Sequence, residues 1–112
     1  MQKIEAIIRQ EKFDLVRDAL ATIGVKFFTL KSVKGFGLQK GETHIYRGHS
    51  YGSDYIARLQ LDIIVTDDIA DEVIETIMKS ARSGEVGDGK IMTYALDKVY
   101  RIRNGELNEA AL

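Results

Sequence analysis

Residues 57–82, "ARLQLDIIVTDDIADEVIETIMKSAR", change from one structural period to another, and that change decides the fold. Apolar and polar residues alternate over 57–65, which predicts a half-buried strand. Thr66 then offers an N-cap, and the acids Asp67 and Asp68 suit the first turn of a helix over 67–82. The predicted buried positions are Leu59, Leu61, Ile63 and Val65 in the strand and Ile69, Val73, Ile77 and Ala81 in the helix.

The segments on either side extend this pattern to a complete fold. Residues 2–9 alternate like a strand, and 11–23 return to helical spacing before Gly24 supplies a stop. Residues 25–33 and 90–103 have the composition of two further strands. The order strand–helix–strand–strand–helix–strand is typical of the ferredoxin-like α+β fold, in which both helices cover one face of an antiparallel sheet. The predicted core also includes Ile4, Ala6, Ile8, Phe13, Val16, Leu20, Ile23, Phe27 and Phe28.

Composition limits the classes of protein to which the chain can belong. Its 112 residues fit one domain, and a net charge of −1 gives no general attraction to nucleic acid or anionic membrane. The sequence has no cysteine, which excludes disulfides and thiolate metal sites. Charges interrupt the N-terminal segment, and no later run approaches the ~20 apolar residues of a membrane helix. We therefore expect one cytoplasmic domain, over 1–112, that does not insert into a membrane.

The segment between the second and third predicted strands, "GFGLQKGETHIYRGHSYGSDY" at 35–55, is long for a domain of this size. It holds five glycines and three tyrosines but little apolar sequence against which they could pack. Long loops without secondary structure of their own are usually functional or disordered. The two histidines of the chain, His44 and His49, both fall here. Without carboxylates at ligand spacing, they indicate surface residues rather than a metal site.

A second glycine-rich loop, at 83–90, carries the clearest chemical signal. Its glycines permit backbone angles that bring N–H groups close to an anion, and a lysine follows at once. The predicted strand over 90–103 sends two arginine side chains to one face. Glycine N–H groups with three cations suit a polyphosphate, although a flexible turn beside a solvated basic strand end explains the same residues. The residues concerned are Gly84, Gly87, Gly89, Lys90, Arg101 and Arg103.

From end to end, the chain resembles the PII signal transduction proteins. The segments that carry the resemblance are "KIEAIIR" (3–9), "VKGFGLQKGETHIYRG" (33–48), "DDIADEVIETIM" (67–78), "GEVGDGKI" (84–91) and "VYRIRNGE" (99–106). The combination of "KGFG", "QKG" and "YRG" with a later "GDGKI" and "RIR" is specific. The resemblance implies the ferredoxin-like domain already predicted, assembled as a homotrimer.

PII proteins are sensors that bind ATP or ADP in clefts between subunits, where 2-oxoglutarate joins ATP through Mg²⁺. Their long T-loop, here about 37–55, then contacts a transporter or an enzyme of nitrogen metabolism. The other two family loops are the B-loop, here about 82–90, and the C-terminal loop, about 101–112. The resemblance thus implies a cytoplasmic regulator whose partner is a membrane transporter or a metabolic enzyme, and not nucleic acid.

The family's residue roles carry over position by position. For nucleotide binding, the resemblance implies Thr29, Gly37, Leu38, Gln39, Asp62, Ile64, Gly87, Asp88, Gly89, Lys90, Arg101 and Arg103, the two arginines coming from the neighbouring subunit. For 2-oxoglutarate it implies Gln39, Lys40 and Arg58, with Gln39 also helping to coordinate Mg²⁺. The implied partner contacts are Tyr46, Arg47, Tyr51 and Tyr55, and Tyr51 aligns with a tyrosine that some members have uridylylated.

Several positions depart from the family pattern. Leu38 stands where an arginine commonly reaches phosphate, and Arg58 replaces a lysine that pairs with 2-oxoglutarate. The residues before Tyr51 also differ from the usual context for modification. These departures predict a divergent member and leave a second hypothesis open: a sensor of ATP and ADP alone that regulates a transporter or enzyme outside nitrogen metabolism. The residues that precede Tyr51 are His49 and Ser50, and the remaining departures are Glu85, Gln10, Met92 and Thr93.

Two other classes of function are less consistent with the sequence. The RNA-recognition module shares this strand–helix order, but it needs exposed aromatic residues on its central strands. Here the outward positions of the third strand are Arg58, Gln60 and Asp62. Catalysis lacks a cysteine, a serine in a nucleophile elbow, and a general base beside the second glycine-rich loop. We therefore predict a regulatory protein rather than an enzyme, with weak ATP hydrolysis left open.

Overall fold

The computed structural model describes residues 1–37, 45–46, 49–50 and 55–112. The main sheet has the order β2-β5-β1-β6, and each neighbouring pair is antiparallel. Two short strands within the predicted T-loop, β3 and β4, pair with each other and, in the part of the chain that the structure describes, with no other strand. The prediction of a ferredoxin-like α+β fold is confirmed. The elements are β1 (Gln2–Arg9), α1 (Phe13–Thr22), β2 (Thr29–Phe36), β3 (Ile45–Tyr46), β4 (His49–Ser50), β5 (Tyr55–Val65), α2 (Asp67–Ala81) and β6 (Lys90–Ala95), with 3₁₀ turns at Gln10–Lys12 and Asn108–Ala111.

One face of the sheet packs against both helices and holds the core. Antiparallel pairing places Ile4 opposite Ile63 and Ala6 opposite Leu61, so these apolar side chains leave the sheet on the same side. Gly24 follows the end of α1 with a φ of +87°, so the predicted stop of this helix at Gly24 is confirmed. The predicted apolar stripes of both helices face the core, but Phe13, Ile23 and Ile69 are only partly buried there. Ala70 is an additional buried position. The buried helix residues are Val16, Leu20, Ala70, Val73, Ile77 and Ala81.

The second strand of the main sheet is displaced from its predicted place at 25–33. It runs from Thr29 to Phe36, because its partner β5 begins at Tyr55 and the pairing therefore continues to Phe36 opposite Tyr55. Residues 25–28 form the connection that leads out of α1. Within it Val25 is buried, but Phe27 is 91% exposed, so the prediction that Phe27 belongs to the core of the chain is wrong.

The last strand is shorter than predicted. It ends at Ala95 because β1, its partner, begins at Gln2, directly opposite Ala95. The prediction that Arg101 and Arg103 share the face of a strand is therefore wrong. Arg101 follows an isolated bridge at Tyr100, and Arg103 lies in the turn after it. The prediction for Thr66 needs a smaller correction, because it occupies the N-cap position of α2 with extended backbone angles but makes no capping bond through its side chain.

No helix among the described residues has the length and apolar character needed to cross a membrane.

Candidate functional site

The side chain of Asp88 stabilises the predicted B-loop by accepting hydrogen bonds from other residues of the same loop. Its carboxylate accepts backbone N–H groups from Ser83 at 2.9 Å and Gly84 at 2.8 Å, and it also accepts the Ser83 hydroxyl. These bonds fold the loop back on itself and leave the Asp88 side chain facing inward. The resemblance implies that Asp88 belongs to a phosphate-binding loop, and the structure shows that its side chain holds this loop in shape.

Arg9 fastens this loop to the sheet. Its Nε donates to Asp88 Oδ1 at 3.1 Å, and its Nη2 donates to the Val86 carbonyl at 2.9 Å. The pairing of β1 with β6 ends at Ile7 opposite Lys90, so Arg9, two residues further along β1, reaches the loop that precedes Lys90. The contact of Arg9 with Asp88 could not be predicted from the sequence, because it depends on the register of β1 against β6. The available signal was an outward-facing cation at the end of β1.

The hydrogen bonds to Asp88 hold its pKa well below the ordinary value. The hydrogen bond from the Ser83 hydroxyl has the largest effect, and burial, the next largest, opposes it by raising the pKa. The Gly84 N–H, the Arg9 guanidinium and the Ser83 N–H lower the pKa further, so that the net shift is downward. The carboxylate therefore stays ionised through the neutral pH range. A permanently charged Asp88 keeps accepting all of these bonds, which keeps the loop in one conformation.

Gly89 brings the loop into direct contact with β1. It has a φ of +105°, and a Cβ atom on it would lie 1.8 Å from the carbonyl oxygen of Ile7. No side chain fits at this position, so the close approach of the two backbones depends on glycine. The bare loop backbone thus forms one wall of the adjoining cleft.

That cleft has a volume of about 320 Å³ and lies at the end of the sheet face that the helices leave uncovered. Its polar character comes from two cations, Arg58 and Lys90, and from the backbone of four glycines. Arg58 is only 7% exposed, and its stem crosses Gly35, where a Cβ would lie 3.3 Å from Arg58 Cγ. Cations beside bare backbone suit an anion with several oxygens. The lining residues are Ile7, Gly35, Phe36, Gly37, Ile56, Arg58, Gly87, Gly89 and Lys90.

Thr29, Asp62 and Ile64 form a second group on the same sheet face. Thr29 pairs with Asp62, and Ile64 follows two residues later in β5. Asp62 is four residues from Arg58, which is about 13 Å along an extended strand. None of the three lines the cleft at Gly89. The described chain therefore presents the predicted nucleotide residues as separate groups.

Asp62 is held by its neighbours on the open face. Its two carboxylate oxygens accept from Lys31 Nζ at 3.0 Å and Gln60 Nε2 at 3.0 Å. Burial favours the protonated acid, but the hydrogen bonds from Gln60 and Lys31 outweigh it and lower the pKa of Asp62. The hydrogen bond with Asp62 also raises the pKa of Lys31. Asp62 is thus an ordered anion.

Arg101 and Arg103 lie in a hairpin formed by residues 99–108. Tyr100 forms an isolated bridge with Leu107, and Arg101 Nη1 makes an ion pair with Glu106 Oε2 at 2.8 Å. Arg103 is exposed at the turn. Neither arginine lines the cleft beside Gly89. The predicted phosphate-binding arginines are therefore separated from the predicted phosphate loop within one chain.

The remaining predicted residues concern the T-loop. Tyr55 lies in β5, and its ring centroid is 5.8 Å from the ring centroid of Phe36. Lys34 Nζ lies over the Tyr55 ring, 4.8 Å from its centroid. Tyr46 belongs to β3, which pairs with β4. The predictions for Leu38, Gln39, Lys40, Arg47 and Tyr51 lie outside the described residues.

Together, these observations define a small ferredoxin-like domain with a cleft at one end of its open sheet face, where two cations lie beside bare glycine backbone. The family model described as "Nitrogen regulatory protein P-II" matches residues 1–106, so the chain belongs to the P-II family. It is 47% identical to "Nitrogen regulatory protein P-II" of Klebsiella oxytoca and also 47% identical to the protein of that name in Pasteurella multocida. It is 46% identical to "Nitrogen regulatory protein P-II 1" of Escherichia coli K12. Each match spans 112 residues and the full length of both chains.

Proposed function

We propose that this protein is a trimeric regulator that binds ATP or ADP and controls a partner protein, a transporter or an enzyme of nitrogen metabolism, through its T-loop. The observation that carries the proposal is the cleft in which the Gly87 and Gly89 backbone meets Lys90 and Arg58. Fixed N–H groups and two cations match the charge of a polyphosphate. The relatives are named as nitrogen regulatory proteins, which supports a regulatory role over a catalytic one.

A cleft shared between subunits explains the separation of the nucleotide residues. The group at Gly87–Lys90 would supply the phosphate loop of one subunit. Thr29, Asp62 and Ile64 would surround the base from the neighbouring subunit, whose Arg101 and Arg103 would reach the phosphates. Cyclic symmetry repeats such a heterologous contact until the ring closes, which for three copies gives three equivalent clefts.

Exposed apolar side chains support assembly into an oligomer. Phe27 is 91% exposed and Ile102 is fully exposed, and Tyr100 and Val86 are also largely open. Large apolar side chains that lie close together at a surface commonly mark an interface with another chain, and Tyr100 and Ile102 are only two residues apart. Two of these residues, Tyr100 and Ile102, flank Arg101 in the C-terminal hairpin. An interface there would bring Arg101 against a neighbouring subunit.

The response to 2-oxoglutarate separates two versions of the proposal. Arg58 lines the same cleft as Lys90. A small dicarboxylate bound beside the phosphates would therefore lie close to the positive charge of Arg58. However, the stem of Arg58 packs over Gly35, and a planar guanidinium replaces the more adaptable ammonium of the family. The change from ammonium to guanidinium favours the second candidate, a sensor of ATP and ADP alone. We propose a partner outside nitrogen metabolism only for that version.

Titration calorimetry tests both versions on the unsubstituted protein. We expect ATP and ADP to bind with three sites per trimer, and Arg58→Ala to reduce any gain in ATP affinity that 2-oxoglutarate brings in the presence of Mg²⁺. If 2-oxoglutarate leaves ATP affinity unchanged, the nucleotide-only version stands. Absence of measurable heat and of competition with a fluorescent ATP analogue would contradict the proposed function itself.

A further inference from the structure

The C-terminal hairpin fixes the backbone of Arg101 from both sides. The Arg101 N–H donates to the Glu106 carbonyl at 2.8 Å, and the Gly105 N–H donates to the Arg101 carbonyl at 2.8 Å. Below them, the Asn108 N–H donates to the Val99 carbonyl at 2.7 Å. Both backbone polar groups of Arg101, one of the two predicted phosphate ligands, are therefore hydrogen-bonded within the hairpin.

The side chain of Arg101 is fixed as well. Its Nη1 lies 2.8 Å from Glu106 Oε2, and its Nη2 donates to the Leu112 carbonyl at 3.1 Å. A guanidinium carries five N–H donors in a planar fork, so these two contacts leave further donors for a second acceptor. The Arg101 side chain remains 32% exposed, which keeps part of that fork accessible.

We infer that Glu106 is a positioning residue for nucleotide binding, because it holds the Arg101 guanidinium in one orientation before the phosphates arrive. This inference rests on the proposed function. Binding a ligand with a mobile arginine requires ordering a side chain that has many rotamers, and an arginine that is already ordered avoids that loss. Arg103 is exposed at the turn of the same hairpin and offers a second cation.

The alternative for Glu106 is competition, in which its carboxylate occupies Arg101 and must be displaced by phosphate. The two roles predict opposite changes in nucleotide affinity when the Glu106 carboxylate is removed. Removal of a positioning residue weakens nucleotide binding, whereas removal of a competing anion strengthens it. The free donors on the fork and the additional backbone tether of Arg101 favour positioning.

The test measures ATP and ADP affinity for Glu106→Ala, Glu106→Gln and Arg101→Ala, each alone and with the two sites combined. We expect Glu106→Ala to weaken binding about two- to tenfold, the range for ordering one side chain. Glu106→Gln keeps an oxygen that can accept from Arg101 and should lose less. In the Arg101→Ala background, Glu106→Ala should have no further effect, because Glu106 acts only through Arg101. Exposed Glu109, changed to alanine, controls for loss of charge in the same segment.

The outcomes separate this inference from the proposed function. Tighter or unchanged binding by Glu106→Ala, or an equal loss in both backgrounds, overturns the positioning role while leaving nucleotide binding intact. No binding by the unsubstituted protein overturns the proposed function and this inference with it. If Glu106→Ala does not assemble, Glu106→Gln carries the same comparison, since a loss that persists without Arg101 again contradicts positioning.

Discussion

Replacement of Gly89 by alanine is expected to abolish nucleotide binding and to lower the free energy of unfolding by about 3 kcal/mol. The added Cβ would lie 1.8 Å from the Ile7 carbonyl oxygen and 2.8 Å from its carbon. Both contacts are with backbone, so no flexible side chain can move aside. The B-loop must therefore shift away from β1, which opens the wall of the cleft. Urea unfolding and ATP calorimetry measure the two effects.

Gly84→Ala is the matched control for this variant. Gly84 has a φ of +89°, similar to that of Gly89, but a Cβ there would meet nothing within 4 Å. It therefore introduces backbone strain of about 1–2 kcal/mol without a collision. If Gly84→Ala and Gly89→Ala behave alike in both measurements, the close approach of the loop to β1 is not what matters.

Replacement of Asp88 by asparagine is the second change with a large expected effect. The amide cannot accept from Ser83, Gly84 and Arg9 together, because one of its two terminal groups is a donor. Loss of a hydrogen bond to a charged group corresponds to about 1.5–3 kcal/mol, so we expect the B-loop to loosen and ATP affinity to fall about tenfold or more. Exposed Asp97, changed to asparagine, is the control with the same change of charge.

The pH dependence of this effect has a definite sign. The native pKa of Asp88 is lowered, so its contribution to stability is complete above the unfolded value of about 4 and is lost as pH falls through the native value. The difference in unfolding free energy between the unsubstituted protein and Asp88→Asn should thus stay constant from pH 8 to pH 5. It should shrink only in more acidic solution. A difference that changes between pH 8 and pH 6 would show that another group controls the loop.

The periodic parts of the fold could be predicted from the sequence. The alternation at Leu61 and Ile63 and the helical spacing at Val73 and Ile77 report burial directly, and all four residues are buried. Strand ends are set by the partner strand, which local patterns do not contain. For this reason β2 continues to Phe36 and β6 ends at Ala95, against the predicted bounds.

Part of the candidate site could likewise be predicted from the sequence, and part of it could not. The glycines that precede Lys90 predicted the B-loop, because closely spaced glycines next to a lysine can be recognised in the sequence itself. The roles of Arg9 and Glu106 could not be read there. Arg9 meets Asp88 across 79 residues, and Glu106 meets Arg101 only because the segment turns at Gly105 with a φ of +73°. Side-chain contacts of this kind require the register of the fold.

The most direct test of the central claim uses mixed trimers. One subunit carries Lys90→Ala, which damages the phosphate-loop side, and the other carries Arg101→Ala with Arg103→Ala, which damages the opposite side. Each is differently tagged, and coexpressed trimers with both tags are isolated. In a ring of three with both subunit types, one contact joins the two undamaged sides, so we predict about one restored ATP site per trimer. Neither parent trimer should bind with that affinity. Mixed trimers that bind no better than their parents would contradict a nucleotide cleft shared between subunits.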